Sequence, residues 1–389
     1  MPEITTVNTN PSQPFSASRA DRPLSFNLAD FNVPTGREEE WRFTPVHRLQ
    51  GFFGESAGAA APAVTLTGDA ELEEVDRSDS RLGQLQAPED RTGALAWEGF
   101  EKAYVLTIPK GKELEGDVEL TIRGDGRDEE QVSATHILIN AEAGSRATVV
   151  LSHDGVARLT EGVEISVGDG AQLTFVTVQE WDDGAEHMLS ERIRVGRDAV
   201  LKHIVVSLGG DIVRVTTSLD YTAPGGDVAL LGAYFADADQ HLEHRLFVDH
   251  NHPHTRSNAV YKGALQGKGA HSVWVGDVLI RPEAEGINTY ELNRNLVLTE
   301  GARADSVPNL EIETGEIEGA GHASATGRFD DEQLFYLLSR GIPEKDARRL
   351  VVRGFFAELI NQIGVESIQA KLMDAIEKEL ELTALVGGE

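Results

Sequence analysis

"VEISVGDGAQLTFVTVQE", Val163 to Glu180, contains the turn that decides the fold. Two runs of alternating apolar and polar residues flank Gly168, Asp169 and Gly170. Alternation has the two-residue period of a strand, and Gly-Asp-Gly supplies turn chemistry. The phrase recurs as "VGRDAVLKHI" near Asp198, "QGKGAHSVWV" near Gly269 and "TEGARADSV" near Gly301. "EAGSRATVVL" near Gly144 and "APGGDVALLG" near Gly226 are weaker copies. The first intervals are about 26 to 28 residues, the range of solenoid coils, and the later ones are irregular. Stacked coils share one continuous core and tolerate coil-specific insertions.

From about Tyr104 to Glu313, strand follows strand with no helical-period segment between them. This argues against alternating β and α units and a doubly wound sheet. The spacing favours a β-helix, with a β-sandwich as the alternative. Upstream, residues 1–100 read as a tail, a short helical element at "REEEWRFTPV" (Arg37–Val46) and a flexible linker at Gly54–Gly68. Residues 101–327 form the β core. Residues 328–389 switch to a helical period. Asp330 and Asp331 can open a first helix, Gly341 can stop it and Pro343 can open the next, which runs to about Ile363 with Gly364 as its stop. A third spans Glu366 to Leu380, and "VGGE" is a frayed end. On the middle helix Ala347, Val351, Phe355, Leu359 and Ile363 form one apolar stripe, and Val352, Phe356 and Ile360 an adjacent one. Such a wide stripe suits a helix wedged between neighbours, or one that docks another protein. Gly354 in its interior suits a close approach by another backbone.

The chain has 389 residues and a formal net charge of -30, which repels nucleic acid and anionic lipid. No apolar run is long enough to span a bilayer, and the first residues lack a secretory pattern. With 0 cysteines the chain has no disulfide, thiolate zinc site, cysteine nucleophile or self-contained cysteine-ligated cluster, which fits a cytoplasmic protein. GxxxxGK[ST], GxSxG and HExxH are absent, and "GDGRDE" (Gly124–Glu129) lacks the third glycine and the helix of a dinucleotide fingerprint. Carboxylates in a β-helix groove, as in polysaccharide-processing enzymes, are the alternative enzymatic reading, with no supporting signature.

Two histidine features invite metal readings. If "DHNHPH" is extended, His250, His252 and His254 share one face, although Pro253 interrupts any ladder. His322 stands alone in "GAGHASATG" (Gly319–Gly327), among small residues that leave room for another chain or a ligand.

Several blocks resemble the SufB/SufD family of iron–sulfur assembly proteins. They are "YKGAL" (Tyr261–Leu265), "NTYELNRNLVLTEGARADSVPNLEIETGEIEGAGHASATG" (Asn288–Gly327) and "FDDEQLFYLLSRGIPEKDARRLVVRGFFAELI" (Phe329–Ile360), in family order. "REEEWRFT" resembles the family's segment before its core. The short length, the ending "RGFFAELI" and the absence of cysteine place the resemblance with SufD rather than SufB. It implies a mainly β fold: a right-handed β-helix with a small N-terminal region and a C-terminal helical domain. It also implies a non-enzymatic subunit of a SufB–SufC–SufD scaffold that docks the SufC ATPase through its helices. That role falls on Phe335, Tyr336, Arg340, Arg349, Phe355 and Phe356. His322 aligns with the family histidine at the SufB interface, where it would help to hold a transient cluster or iron shared with the partner, none being bound stably by this chain alone. Many SufD chains carry cysteine two residues before that histidine, where this chain has Ala320, and Ala323 replaces the following glycine. Any thiolate is therefore expected from SufB. The alternatives are a SufB-type paralogue, a homodimeric scaffold, and a plain interaction scaffold in which His322 has no metal role.

Overall fold

The computed structural model describes residues 18–126, 131–329 and 331–386. Of the expected tail at residues 1–20, residues 1–17 lie outside them, as do the capping residue Asp330 and the last three residues of the "VGGE" end, whereas Arg19–Asp21 form a 3-10 turn capped by Ser18.

Among the described residues, eighteen strands form two nine-stranded sheets, and from β3 to β18 the chain alternates between them, one strand of each sheet per coil. In spatial order the first sheet contains β1 (Ala63–Thr67), β4 (Glu113–Asp125), β6 (Arg146–Val156), β8 (Gln172–Trp181), β10 (Val200–Ser207), β12 (Asp227–Ala236), β14 (Arg256–Leu265), β16 (Asn288–Val297) and β18 (Gly319–Arg328). The second contains β2 (Leu72–Asp76), β3 (Lys102–Ile108), β5 (Ser133–Ala141), β7 (Arg158–Val167), β9 (Glu186–Val195), β11 (Ile212–Tyr221), β13 (His241–His250), β15 (His271–Ile280) and β17 (Arg303–Ile312). The chain is a β-solenoid of about 8 turns, as the turn phrase predicts.

Stacked turns explain why that phrase recurs. Gly144 and Gly170 have φ of 67° and 64°, and Asp198 takes the same left-handed conformation at 49°. Each donates its N–H to the next coil: Gly144 to Asp169 O at 2.9 Å, Gly170 to Arg197 O at 2.8 Å and Asp198 to Pro224 O at 3.2 Å. The register partners Gln172, Val200, Asp227, Arg256, Asn288 and Gly319 lie 28, 27, 29, 32 and 31 residues apart. The later coils are longer because their connections are longer, including 281–287 between β15 and β16.

The lumen carries the largest core, including Leu106, Phe175, Leu219, Leu246 and Trp274. Both outer faces are also covered. On the first sheet, Val176, Ile204, Leu231, Phe235 and Val260 pack beneath α3 (Glu344–Ile363) and α4 (Glu366–Val386). α2 (Asp331–Ser339) precedes them, and α4 runs beyond the expected Leu380. Gly341 and Gly364 stop α2 and α3 with φ of 82° and 68°. On the second sheet, Trp41, Leu49, Phe52 and Phe53 pack on Met188 and Ile212, and α1 (Arg91–Gly99) lies beside β5, β7 and β9.

Three expectations need correction. The stretch read as a linker, Gly54–Gly68, contains β1, which pairs antiparallel with β4. β2 likewise pairs antiparallel with β3, so at the N-terminal end the edge strand of each sheet runs against its neighbour. The helix expected at "REEEWRFTPV" is one 3-10 turn, Glu39–Trp41, in which Trp41 is buried. No other backbone approaches Gly354 among the described residues; a Cβ there would meet open space.

Candidate functional site: the open end of the solenoid

β17 and β18 end their sheets without a partner strand. β18 is "GAGHASATGR", and most of its residues are exposed because no further coil covers them. Parallel in-register pairing sets where its side chains point. Val149, Phe175, His203, Leu230, Ala259, Glu291 and His322 form one column through successive coils of the first sheet. The members below His322 are buried, so the column faces the lumen, and His322 is its exposed last member.

Directly beneath His322 lies Glu291, only 1 % exposed, with no hydrogen-bond partner on either carboxylate oxygen among the described residues. Burial, reinforced by the Asp277 carboxylate, pushes its carboxyl up to about 8. Across the lumen a Cβ on Gly276 would stand 2.6 Å from Glu291 Oε1, so glycine admits that carboxyl. Trp274 Nε1 and Ser306 Oγ are also buried without a partner in these last coils. Orphaned polar atoms are uncommon in folded proteins, and although others lie along the solenoid, the Glu291 carboxyl is the one directly beneath the exposed imidazole.

A family model described as "SUF system FeS cluster assembly, SufBD core domain" matches residues 122–355. An iron–sulfur cluster assembly SufBD family protein of Mycobacterium tuberculosis is 51 % identical over 368 residues, covering 92 % of each chain. The chain belongs to the SufB/SufD family. It is SufD-like within it. The SufD of Escherichia coli is 25 % identical over 384 residues, covering 90 % of this chain and 89 % of the relative. The SufD of Bacillus subtilis is 28 % identical over 283 residues, covering 71 % and 63 %.

Placed on this SufD-like frame, the expected site residues separate. Phe335 and Tyr336 on α2 are 71 % and 56 % exposed, and Arg340 stacks on the Tyr336 ring at 5.1 Å. Leu338, expected on the apolar face of this helix, and Leu350, which sequence reasoning did not single out, are exposed as well. Arg349 pairs with Glu377 of α4 at 3.1 Å. Phe355 is half-buried, edge-on to Phe356. Phe356 is fully buried against the first sheet, so it anchors α3 instead of meeting a partner.

The three weaker metal candidates do not converge. β13 ends at His250, and His254 sits in the following turn with φ of 57°, so the extended geometry that would align them is absent. His250 is buried, bonded to Thr255 Oγ1 at 2.7 Å and Ser257 Oγ at 2.9 Å, and burial lowers its imidazole to about 3. His252 is half-buried and His254 exposed.

A third histidine cluster lies inside the lumen, where His153 Nε2 and His187 Nε2 approach Glu161 Oε2 at 2.8 and 2.9 Å. Its geometry would suit a cation, with His153 Nδ1–H donating to Val178 O at 2.9 Å, but the hydrogen-bond directions place a proton between His187 and Glu161. Trp181 Nε1–H donates to His187 Nδ1 at 3.1 Å, which puts the His187 proton on Nε2, facing Glu161. This is a buried polar tie between coils.

Sequence reading also missed Lys202 and Lys262, which rise from the outer face of the first sheet. Lys262 Nζ donates to Phe355 O at 3.0 Å and to Glu358 Oε2 at 3.1 Å. Lys202 Nζ donates to Gln362 O at 3.1 Å and Ile363 O at 3.3 Å, the last carbonyls of α3. The lysine of "YKGAL" was a visible signal, but its partner lies 93 residues away.

Proposed function

We propose that this chain is the SufD-type, non-catalytic subunit of a cytoplasmic iron–sulfur assembly scaffold. In this reading it joins a SufB-like paralogue through the open end of its solenoid and a SufC-like ATPase through its terminal helices. The observation that carries the reading is the difference between the two ends of the solenoid: antiparallel β1 and β2 edge one end, whereas β18, parallel and in register with the coil beneath it, edges the other with His322 exposed on it. An unpaired strand edge is a template for another chain.

The nascent cluster is the cargo of this site, not a resident cofactor. His322 offers one neutral imidazole, which suits iron, and the small side chains around it let a partner close over the ring. Thiolates would come from the partner, because this chain has 0 cysteines. Glu291 beneath the imidazole can give up a proton as a cation arrives above it. For the ATPase, Phe335, Tyr336, Leu338 and Leu350 offer an apolar surface beside Arg340, and Gly354 leaves space for close approach. ATP binding to that partner would act on the open end only through conformations it binds unequally.

The test is anaerobic co-expression with a SufB-like paralogue and a SufC-like ATPase, followed by mass measurement and iron and sulfide analysis. Wild type is expected in a complex that carries cluster. His322→Ala should assemble equally and hold several-fold less iron and sulfide. A chain that stays monomeric, or pairs only with itself, refutes the assembly reading. Unchanged cluster in the variant removes His322 from the site.

A further inference from the structure

A pair of imidazoles outside the open end has a hydrogen-bond arrangement that two neutral rings do not satisfy. His241 and His271 begin β13 and β15 and are register partners, on the outward-facing side of the second sheet. Their Nδ1 atoms face each other at 3.1 Å, with the rings nearly perpendicular at 67°. Each ring is held from behind by a carboxylate. His241 Nε2 lies 2.9 Å from Glu243 Oε2, and His271 Nε2 lies 2.7 Å from Asp305 Oδ2.

Both carboxylates are committed as acceptors. Glu243 also receives Thr44 Oγ1 at 2.7 Å, Arg245 Nε at 2.5 Å and Arg214 Nε at 3.3 Å. Asp305 also receives Arg303 Nε at 2.7 Å. Each histidine must therefore carry a proton on Nε2 to donate. In the neutral tautomers this leaves two lone pairs aimed at one another across the Nδ1 gap. Such a contact is repulsive unless a positive centre lies between or beside the two nitrogens.

We propose that His241 and His271 bind a divalent transition-metal ion of the zinc, nickel or copper class through their two Nδ1 atoms, with Glu243 and Asp305 fixing the rings. Ligand nitrogens about 2.0–2.1 Å from one ion lie about 3 Å apart when they share it. Carboxylates on the remote ring nitrogens are the usual outer support of metal-bound histidines. The contrast with His187 is specific, because there tryptophan N–H fills the remote nitrogen and here carboxylates do. Water can complete the coordination, since the His271 and Asp305 side chains are each 20 % exposed. The site lies on the flank of the solenoid and uses neither His322 nor Glu291.

The test titrates the purified full chain with Zn(II) alone in competition with a chromophoric chelator, and repeats it with Co(II) read by visible absorption. Wild type should bind one more ion than His271→Gln, with Co(II) bands that the variant lacks. Asp305→Asn keeps both ligands and should weaken that ion about 10- to 100-fold. Circular dichroism confirms that both variants fold. Equal stoichiometry in wild type and His271→Gln overturns the proposal and leaves a single shared proton between the rings. An extra wild-type ion that Asp305→Asn leaves at full affinity also overturns it, because the carboxylate support would then be irrelevant.

Discussion

Lys262→Met should loosen the terminal helices without unfolding the solenoid. Lys262 is 3 % exposed, and its ammonium ties β14 to the backbone of α3 at Phe355. A hydrogen bond from a charged donor contributes about 1.5–3 kcal/mol. The ion pair with Glu358 adds little, because that carboxylate is 66 % exposed. Methionine retains most of the apolar stem and removes the cost of burying a charge, which offsets part of the loss. The net expectation is about 1–2 kcal/mol, or roughly a 5- to 30-fold change in the opening equilibrium. The change should be local, since Val352, Phe356, Leu359 and Ile363 keep their places on the first sheet. Hydrogen exchange resolved by peptide is the assay. Amides of α3 and α4 should exchange faster by that factor, while those of β6 to β12 stay as in wild type. Unchanged protection across α3, or equal acceleration in the central strands, would refute the idea that this lysine holds the helices as a separable unit.

Two further outcomes test the lumen. A Cβ on Gly263 would intrude on the Tyr234 ring, so Gly263→Ala should lower stability by about 1–3 kcal/mol, read as a lower urea midpoint. Glu291→Gln should remove a pH dependence. The Glu291 carboxyl is raised from its ordinary 4.5 to about 8, so between those values the native state holds a proton that the unfolded chain has released. Stability from this group therefore falls as pH rises through that window, by up to about 5 kcal/mol, and the variant's urea midpoint should fall less between pH 5 and 9. Equal slopes would show that Glu291 titrates normally.

The turn at Gly170 was legible because the same backbone problem recurs in each coil, and the chain solves it with glycine or, at Asp198, with a residue that tolerates a left-handed φ. Hydrogen bonds between stacked turns then fix the coil length locally. That signal fades where the loop at 281–287 lengthens a coil without altering its strands. β1 was illegible for another reason. Its five residues lie in a Gly-, Ala- and Pro-rich stretch, and only Val64 and Leu66 are partly buried against the core, so pairing with β4 does most to define them. The histidine-rich stretch at His250 drew attention by composition, yet its first ring is satisfied by Thr255 and Ser257. His241 and His271 lie 30 residues apart, as Glu291 and His322 lie 31 apart, and only the coil register makes each pair neighbours. Composition marks residues, whereas register decides which ones share chemistry.

Register also distinguishes the two strands of the open end. β17 carries Pro308, which removes a backbone donor and is tolerated at a sheet edge because no ladder is needed there. β18 has no proline or lysine and, at most positions, side chains no larger than threonine, so little opposes a strand laid against it. Any chain that extends the solenoid should therefore add to β18 and leave β17 unpaired. Extension there would set the next coil over the column that ends in Glu291 and His322, covering the imidazole and the orphaned carboxyl together. A second copy of this chain would add its own net charge of -30 to the assembly, a long-range repulsion that weakens as salt rises.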